Sequence, residues 1–202
     1  MEAPSELVRR AQCKDVEAFA TLVPHFERTA LALAYSVLGD AASASDVTQE
    51  AFLRAWERLD DLKDPERFGP WLARIVRNLA TDARRRTMRL AGDLLDEGAS
   101  DQRRPGANSR FDPAGVIERR ETRAKIDSAL HELDDLTRSA VVLRYYQDLS
   151  SREIGELLEL SPAAVDMRLS RARAQLRQTL SWAAPEMRSI PPSPGSPVPT
   201  GP

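Results

Sequence analysis

Cysteine occurs once in these 202 residues, at Cys13. An internal disulfide framework and any cysteine-based zinc site are thereby excluded, and a reducing cytoplasm is the expected setting. Long hydrophobic runs are missing too: none approaches the ~20 residues that a membrane-spanning helix needs. Residues Met1 to Asp15 carry charge and no apolar centre, so neither a secretory signal nor membrane insertion is expected. The two histidines, His25 and His131, are isolated, with no partner at metal-ligand spacing. No glycine loop of the phosphate-cradling kind occurs, and no nucleophile stands beside a base. No metal, no cofactor and no enzymatic activity are therefore expected.

Lysine is scarce, confined to Lys14, Lys63 and Lys125, so nearly all the positive charge is arginine. Arginine concentrates at 84–89 and at 168–177, while the net charge is -2. Two local basic patches on an acidic chain suit a protein that touches DNA at two points and another partner elsewhere. Charge alone also fits two solvated helix faces.

The pattern is helical throughout, with no alternating strand run and no internal repeat. Phe19, Leu22, Val23, Phe26, Ala30, Leu33, Ala34, Val37 and Leu38 recur at three- and four-residue spacing, with a break or kink expected at Pro24. Gly39 is the expected C-terminal cap, and Ser45 or Asp46 the cap of the next helix. That helix buries Val47, Ala51, Phe52, Ala55, Trp56 and Leu59, and turns Asp46, Gln49, Glu50 and Arg54 outward. After a polar connection, Pro70 opens a further helix, which buries Trp71, Leu72, Ile75, Val76 and Leu79 and ends at Arg84 to Arg86. The expected fold is all-α: a helical domain at 15–89, a flexible linker at 90–115, a second helical domain at 116–182, and a disordered Pro-rich tail at 183–202.

Within the second domain, Ser150 and Glu153 are spaced as a capping box for a short helix through Ile154, Leu157 and Leu158. Ser161 and Pro162 start a longer one, with Val165, Leu169, Ala172 and Leu176 on its apolar stripe. A short helix, a tight turn and a longer arginine-bearing helix make a helix-turn-helix, whose second helix enters the major groove. Ala163, Ala164, Asp166, Met167 and Ser170 would then face base edges, and arginine suits both phosphates and guanine. A plain helical hairpin with a basic face fits the same spacing.

The run Glu153-Ile154-Gly155, Leu160-Ser161, Val165, Arg168 to Arg173 and Leu176-Arg177 closely resembles region 4 of the extracytoplasmic-function sigma factors. Independently, Leu38-Gly39-Asp40, Asp46-Val47 and Gln49 to Trp56 resemble region 2 of that family. So do Trp71-Leu72, Ile75, Arg77-Asn78-Leu79, Asp82 and Arg84 to Arg86. The resemblance covers about 15–86 and 126–180. Departures occur at Glu159, where the family commonly has glycine, and at Gly155, where it often has alanine. Asp166 replaces a frequent lysine or arginine, and Asp134 a common proline.

The resemblance implies a factor that binds core RNA polymerase and directs promoter-specific initiation. Asp46, Gln49, Glu50 and Arg54 would dock on the polymerase. Asp61, Lys63 and Phe68 of the following loop, with Asn78, would capture the melted −10 strand, because a Watson–Crick edge is readable only outside the duplex. Arg74, Arg77, Arg84 and Arg85 would hold its phosphates; Trp71 is either a core side chain or a stacking platform. Ser161, Ala163, Ala164, Asp166, Met167, Arg168, Ser170, Arg171 and Arg173 would contact the duplex −35 element. An anti-sigma factor is an implied further partner. Two other readings stay open on the residues alone: an operator-binding helix-turn-helix regulator, which leaves the first domain unused, and a protein-binding adaptor, against which the arginine-rich helix counts.

Overall fold

The computed structural model describes residues 2–96 and 125–179, all of whose regular structure is helical. The first helix, α1 (Pro4–Gln12), has no counterpart in the sequence reading. Proline at its first position costs no hydrogen bond, and Leu7, Val8 and Ala11 are buried on one face. Helix α2 (Val16–Leu38) is capped by the Asp15 carboxylate, which accepts from the Ala18 amide at 3.0 Å. It runs unbroken through Pro24, so of the break or kink expected there the break does not occur. Proline removes one backbone bond there, and the burial of Leu22, Ala30, Leu33 and Val37 around it offsets that loss. Gly39 ends α2 in the left-handed conformation, φ 71°, as expected.

Helix α3 (Ala41–Glu57) begins sooner than Ser45 or Asp46 would allow. Its cap is Asp40, accepting from the Ser43 amide at 2.8 Å. Two single 3-10 turns, Leu59–Asp61 and Pro65–Arg67, lead into α4 (Phe68–Asp96). Pro70 therefore sits within the first turn of α4, not at its first position. Nor does α4 end at Arg84 to Arg86; it continues into the stretch read as the start of the linker. The rest of that linker, the pattern from 116 to 124 and the tail at 183–202 lie outside the described residues.

Chain order resumes with a helical segment, α5, at 125–131, then α6 (Asp135–Tyr146), α7 (Ser151–Leu158) and α8 (Pro162–Thr179). The α7 cap is the expected box: the Ser150 hydroxyl caps the Glu153 amide while the Glu153 carboxylate accepts from the Ser150 amide at 2.7 Å. Ser161 caps α8 through the Ala164 amide at 3.2 Å.

Helices α1 to α4 form the N-terminal unit. Its core sets the Phe19 ring tilted against Trp56 at 5.1 Å and the Phe26 ring edge-on to Phe68 at 5.0 Å, in one cluster with Leu22, Leu33, Val37 and Val76. Helices α6 to α8 close over Leu143, Ile154, Leu158, Val165 and Leu169. The two units are in direct contact: α6 packs on α2 and α7 on α4. Their buried residues form one continuous cluster. Across the seam, the Ser36 and Ser139 hydroxyls meet at 2.9 Å, both fully buried.

Candidate polymerase and nucleic-acid interface

On α3, the core takes Ala44, Val47, Thr48, Ala51, Phe52 and Ala55. The remaining positions at three- and four-residue steps face water. Asp46, Gln49, Glu50 and Arg54 are exposed, with Arg54 bonded to Glu50 at 2.8 Å. Leu53 lies in the same stripe and is 61% exposed. The sequence reading missed it, although its spacing from Gln49 and Glu50 (i+4 and i+3) signals membership of that face. Leu53 adds a large apolar side chain to an otherwise polar and charged face.

The nucleic-acid candidates of the N-terminal unit are divided by the fold. Arg74, Asn78 and Arg85 are exposed, and Arg77 half-buried, along one side of α4 at helical spacing. Arg74, Arg77 and Asn78 make no side-chain hydrogen bond or ion pair among the described residues. Their donors remain available for phosphate and base. Lys63 and Asp61 are exposed in the connection before α4, where Asp61 pairs with Arg58 at 2.9 Å. Phe68 does not belong with them. It is 1% exposed, wedged between Phe26 and Trp71, and so is a core residue rather than a strand contact. Trp71 is half-buried with its ring 5.9 Å from that of Phe68, which makes it first a packing residue.

Arg84 is also diverted. Its guanidinium makes two parallel bonds to the Asp135 carboxylate, at 2.7 and 2.8 Å, across the seam. This bidentate pairing holds the Asp135 carboxyl below the usual carboxylate range.

In the C-terminal unit α7 and α8 form the helix-turn-helix. The turn is tight because Gly155 lets the chain fold back: a Cβ there would lie 2.6 Å from the Leu160 carbonyl oxygen. The Leu160 amide donates to the Gly155 carbonyl at 2.9 Å. Glu159 takes the left-handed position with φ 57°. Along α8, Ser161, Ala163, Met167, Ser170, Arg171 and Arg173 are exposed and Ala164 half-buried, while Val165, Leu169 and Ala172 face the core.

Two α8 side chains turn back onto their own unit. Asp166 accepts a hydrogen bond from the Ser151 hydroxyl, which itself accepts from Arg144 at 2.5 Å. Arg168 donates to Asp134 and to the Thr137 hydroxyl, both at 3.1 Å. Asp134, where proline is common in the resembling family, thus serves as both the α6 cap and the Arg168 anchor.

The fold defines a class: an all-helical protein of two small units, one ending in a helix-turn-helix and the other carrying an open basic helix face. Residues 22–90 match the family model of sigma-70 region 2, and residues 123–176 that of sigma-70 region 4. The chain is 31% identical over 178 residues to the ECF RNA polymerase sigma factor SigW of Bacillus subtilis, covering 86% of this chain and 94% of that protein. It is 38% identical over 166 residues to the probable RNA polymerase sigma factor RfaY of Xanthomonas campestris, covering 81% of this chain but only 40% of that longer protein. Among solved structures, CnrH in complex with the cytosolic domain of CnrY superposes with a TM-score of 0.62 at 30% identity, covering 90% of this chain and 99% of that one. The chain belongs to the sigma-70 family of RNA polymerase sigma factors, in its extracytoplasmic-function branch. As a sigma factor it confers promoter-specific initiation on core RNA polymerase, through −10 and −35 recognition.

Proposed function

We propose that the three exposed faces divide this work by residue. The α3 stripe of Asp46, Gln49, Glu50, Leu53 and Arg54 docks on core polymerase. The α4 face takes the melted −10 strand, with Asn78 reading a flipped base and Arg74, Arg77 and Arg85 holding phosphates; Lys63 and Asp61 flank that strand. A stacked or captured base contributes roughly 1–3 kcal/mol, so a few of them offset the opening of several pairs. The α8 face reads the −35 duplex through Ala163, Ala164, Met167, Ser170 and Arg171, with Arg173 at the backbone and Ser161 at the helix start. Asp166 and Arg168 act from behind, fixing α8 against α6 and α7. The protein works in the cytoplasm and is not itself an enzyme. It is held in check by an anti-sigma partner, as the CnrH–CnrY pairing suggests for a relative of similar length.

The observation that carries this reading is the row Arg74, Asn78 and Arg85, exposed on α4, with Arg77 half-buried beside them. Purified protein added to core polymerase should yield promoter-specific run-off transcripts. Asn78→Ala should cut open-complex formation by about tenfold while leaving co-purification with polymerase intact. Unchanged strand opening in that variant would remove Asn78 from the reader set.

A further inference from the structure

The seam between the two units joins shared apolar packing to a set of polar groups that both units expose once parted. Arg84 of α4 is locked by two bonds to Asp135 of α6. Asp135 also accepts from Arg138 at 3.0 Å, and Arg138, 5% exposed in its side chain, donates further to the Leu133 carbonyl at 3.0 Å. Beside this cluster lies the Ser36–Ser139 contact, and at the far edge the Tyr35 hydroxyl reaches Asp127 at 3.5 Å. These charged contacts part without exposing apolar surface, and the shared apolar packing is what opening must overcome.

The closed arrangement is also the wrong shape for a promoter. Elements about 25 base pairs apart are on the order of 80 Å apart at ~3.4 Å per step. A compact unit of about 100 residues has a radius of gyration near 13 Å, so two units in van der Waals contact fall far short of that span.

We propose that Asp135 is an internal stand-in for DNA phosphate: by occupying the Arg84 fork it clamps the two units closed, and phosphate of the promoter strand displaces it when polymerase draws the units apart. This rests on the sigma-factor reading of the α4 face. Carboxylate and phosphate both fit the planar guanidinium fork bidentately, so Arg84 exchanges one anion for another and opening leaves no charge unpaired. In the free chain, closure withholds one phosphate contact from α4 and keeps α8 from its distant element. Free DNA binding is thereby suppressed until polymerase is present.

The buried serine pair supplies the test. In a Cys13→Ser background, Ser36→Cys with Ser139→Cys places two thiols where hydroxyls now touch. The free chain should oxidise readily to the cross-linked form, and that form should lose run-off transcription by about tenfold or more, with full recovery on reduction. Failure to cross-link, or undiminished transcription when cross-linked, overturns the clamp. Cross-linking rate gives a readout independent of activity: core polymerase should slow it, and an equal rate in the polymerase-bound chain overturns the proposal. A chain that does not co-purify with polymerase at all strikes instead at the sigma-factor reading. The stand-in role of Asp135 is separated from its mere charge by a double-mutant cycle. Asp135→Asn should tighten binding of the free chain to oligo(dT) by roughly fivefold, and the gain should vanish in Arg84→Ala. The same gain in both backgrounds would reduce Asp135 to a bystander charge.

Discussion

In the N-terminal unit, the rings of Phe19, Phe26, Phe52, Trp56, Phe68 and Trp71 meet edge to face or tilted among aliphatic residues from four helices. In the C-terminal unit both described tyrosines, Tyr145 and Tyr146, are exposed, and the core is alanine, valine, leucine and isoleucine from three helices, of which α7 has only 8 residues. A short helix gains little from propensity alone. The smaller unit makes up the difference with polar buttresses: Asp134 on Thr137 and Arg168, Ser150 on Glu153, Ser151 on Asp166. One unit should therefore be fragile to lost volume and the other to lost backbone geometry and caps.

The largest effect belongs to Phe68→Ala. Emptying that site between Phe26 and Trp71 should cost about 3–5 kcal/mol, read as a drop in denaturant midpoint followed by Trp56 and Trp71 fluorescence. The change also decides between the two roles of Phe68: Phe68→Leu should keep most of the stability and all of the −10 binding. If Phe68→Leu folds normally yet loses strand capture, the residue touches DNA after all.

Gly155→Ala comes next, in the other unit. The added methyl would press on the Leu160 carbonyl, a backbone atom that has little freedom to retreat. A cost of about 1–3 kcal/mol is expected, seen as loss of amide exchange protection confined to α7 and α8. Full tolerance would show that the turn relaxes.

Acid should loosen both the caps and the seam. Asp135 is held down by its bonds to Arg84, Asp40 by the Ser43 amide, Asp15 by the Ala18 amide, and Glu153 by the Ser150 hydroxyl. Each carboxyl is easier to ionise folded than unfolded. Its contribution is complete above the ordinary carboxylate pKa of about 4 and is lost as pH falls through the lower folded value. Stability measured from pH 6 downward should stay level to about pH 4–5 and then fall. Asp135→Asn should flatten part of that fall; an unchanged profile would mean the Arg84 pairing contributes nothing measurable.

These contrasts separate what the sequence made legible from what it hid. The Ser150–Glu153 box, the Ser161 cap and the Gly39 stop were readable because each is a local bargain between a side chain and a backbone a few residues away. The α3 cap was misplaced because Asp40, Ser45 and Asp46 are all competent caps, and only packing of Ala44 and Val47 selects the first. Helix α1 went unread because its apolar face is three residues long. Phe68 was assigned to the DNA because it borders a polar loop, and nothing local reveals Phe26 above it. The Arg84–Asp135 pair spans 51 positions, and no periodicity encodes such a partner.

The smallest expected effect compares two helix ends that use the same backbone conformation. Gly39 closes α2 at φ 71° and Glu159 closes α7 at φ 57°. Glycine meets no steric penalty there, whereas a residue with a Cβ is strained by about 1–2 kcal/mol. Against that relief stands the greater entropy glycine restores to the unfolded chain, about 0.5–1 kcal/mol. Glu159→Gly should therefore stabilise the C-terminal unit by no more than about 0.5–1 kcal/mol, a shift of a few degrees in its melting midpoint. The side chain is exposed and makes no described contact, so no packing is lost to blur the comparison. The reverse change, Gly39→Ala, adds a clash with the His131 ring at 2.4 Å to the same backbone strain and should destabilise clearly. Opposite signs at these two caps would confirm that strain at Glu159 is real. A neutral or unfavourable Glu159→Gly would show instead that unfolded-state entropy outweighs it.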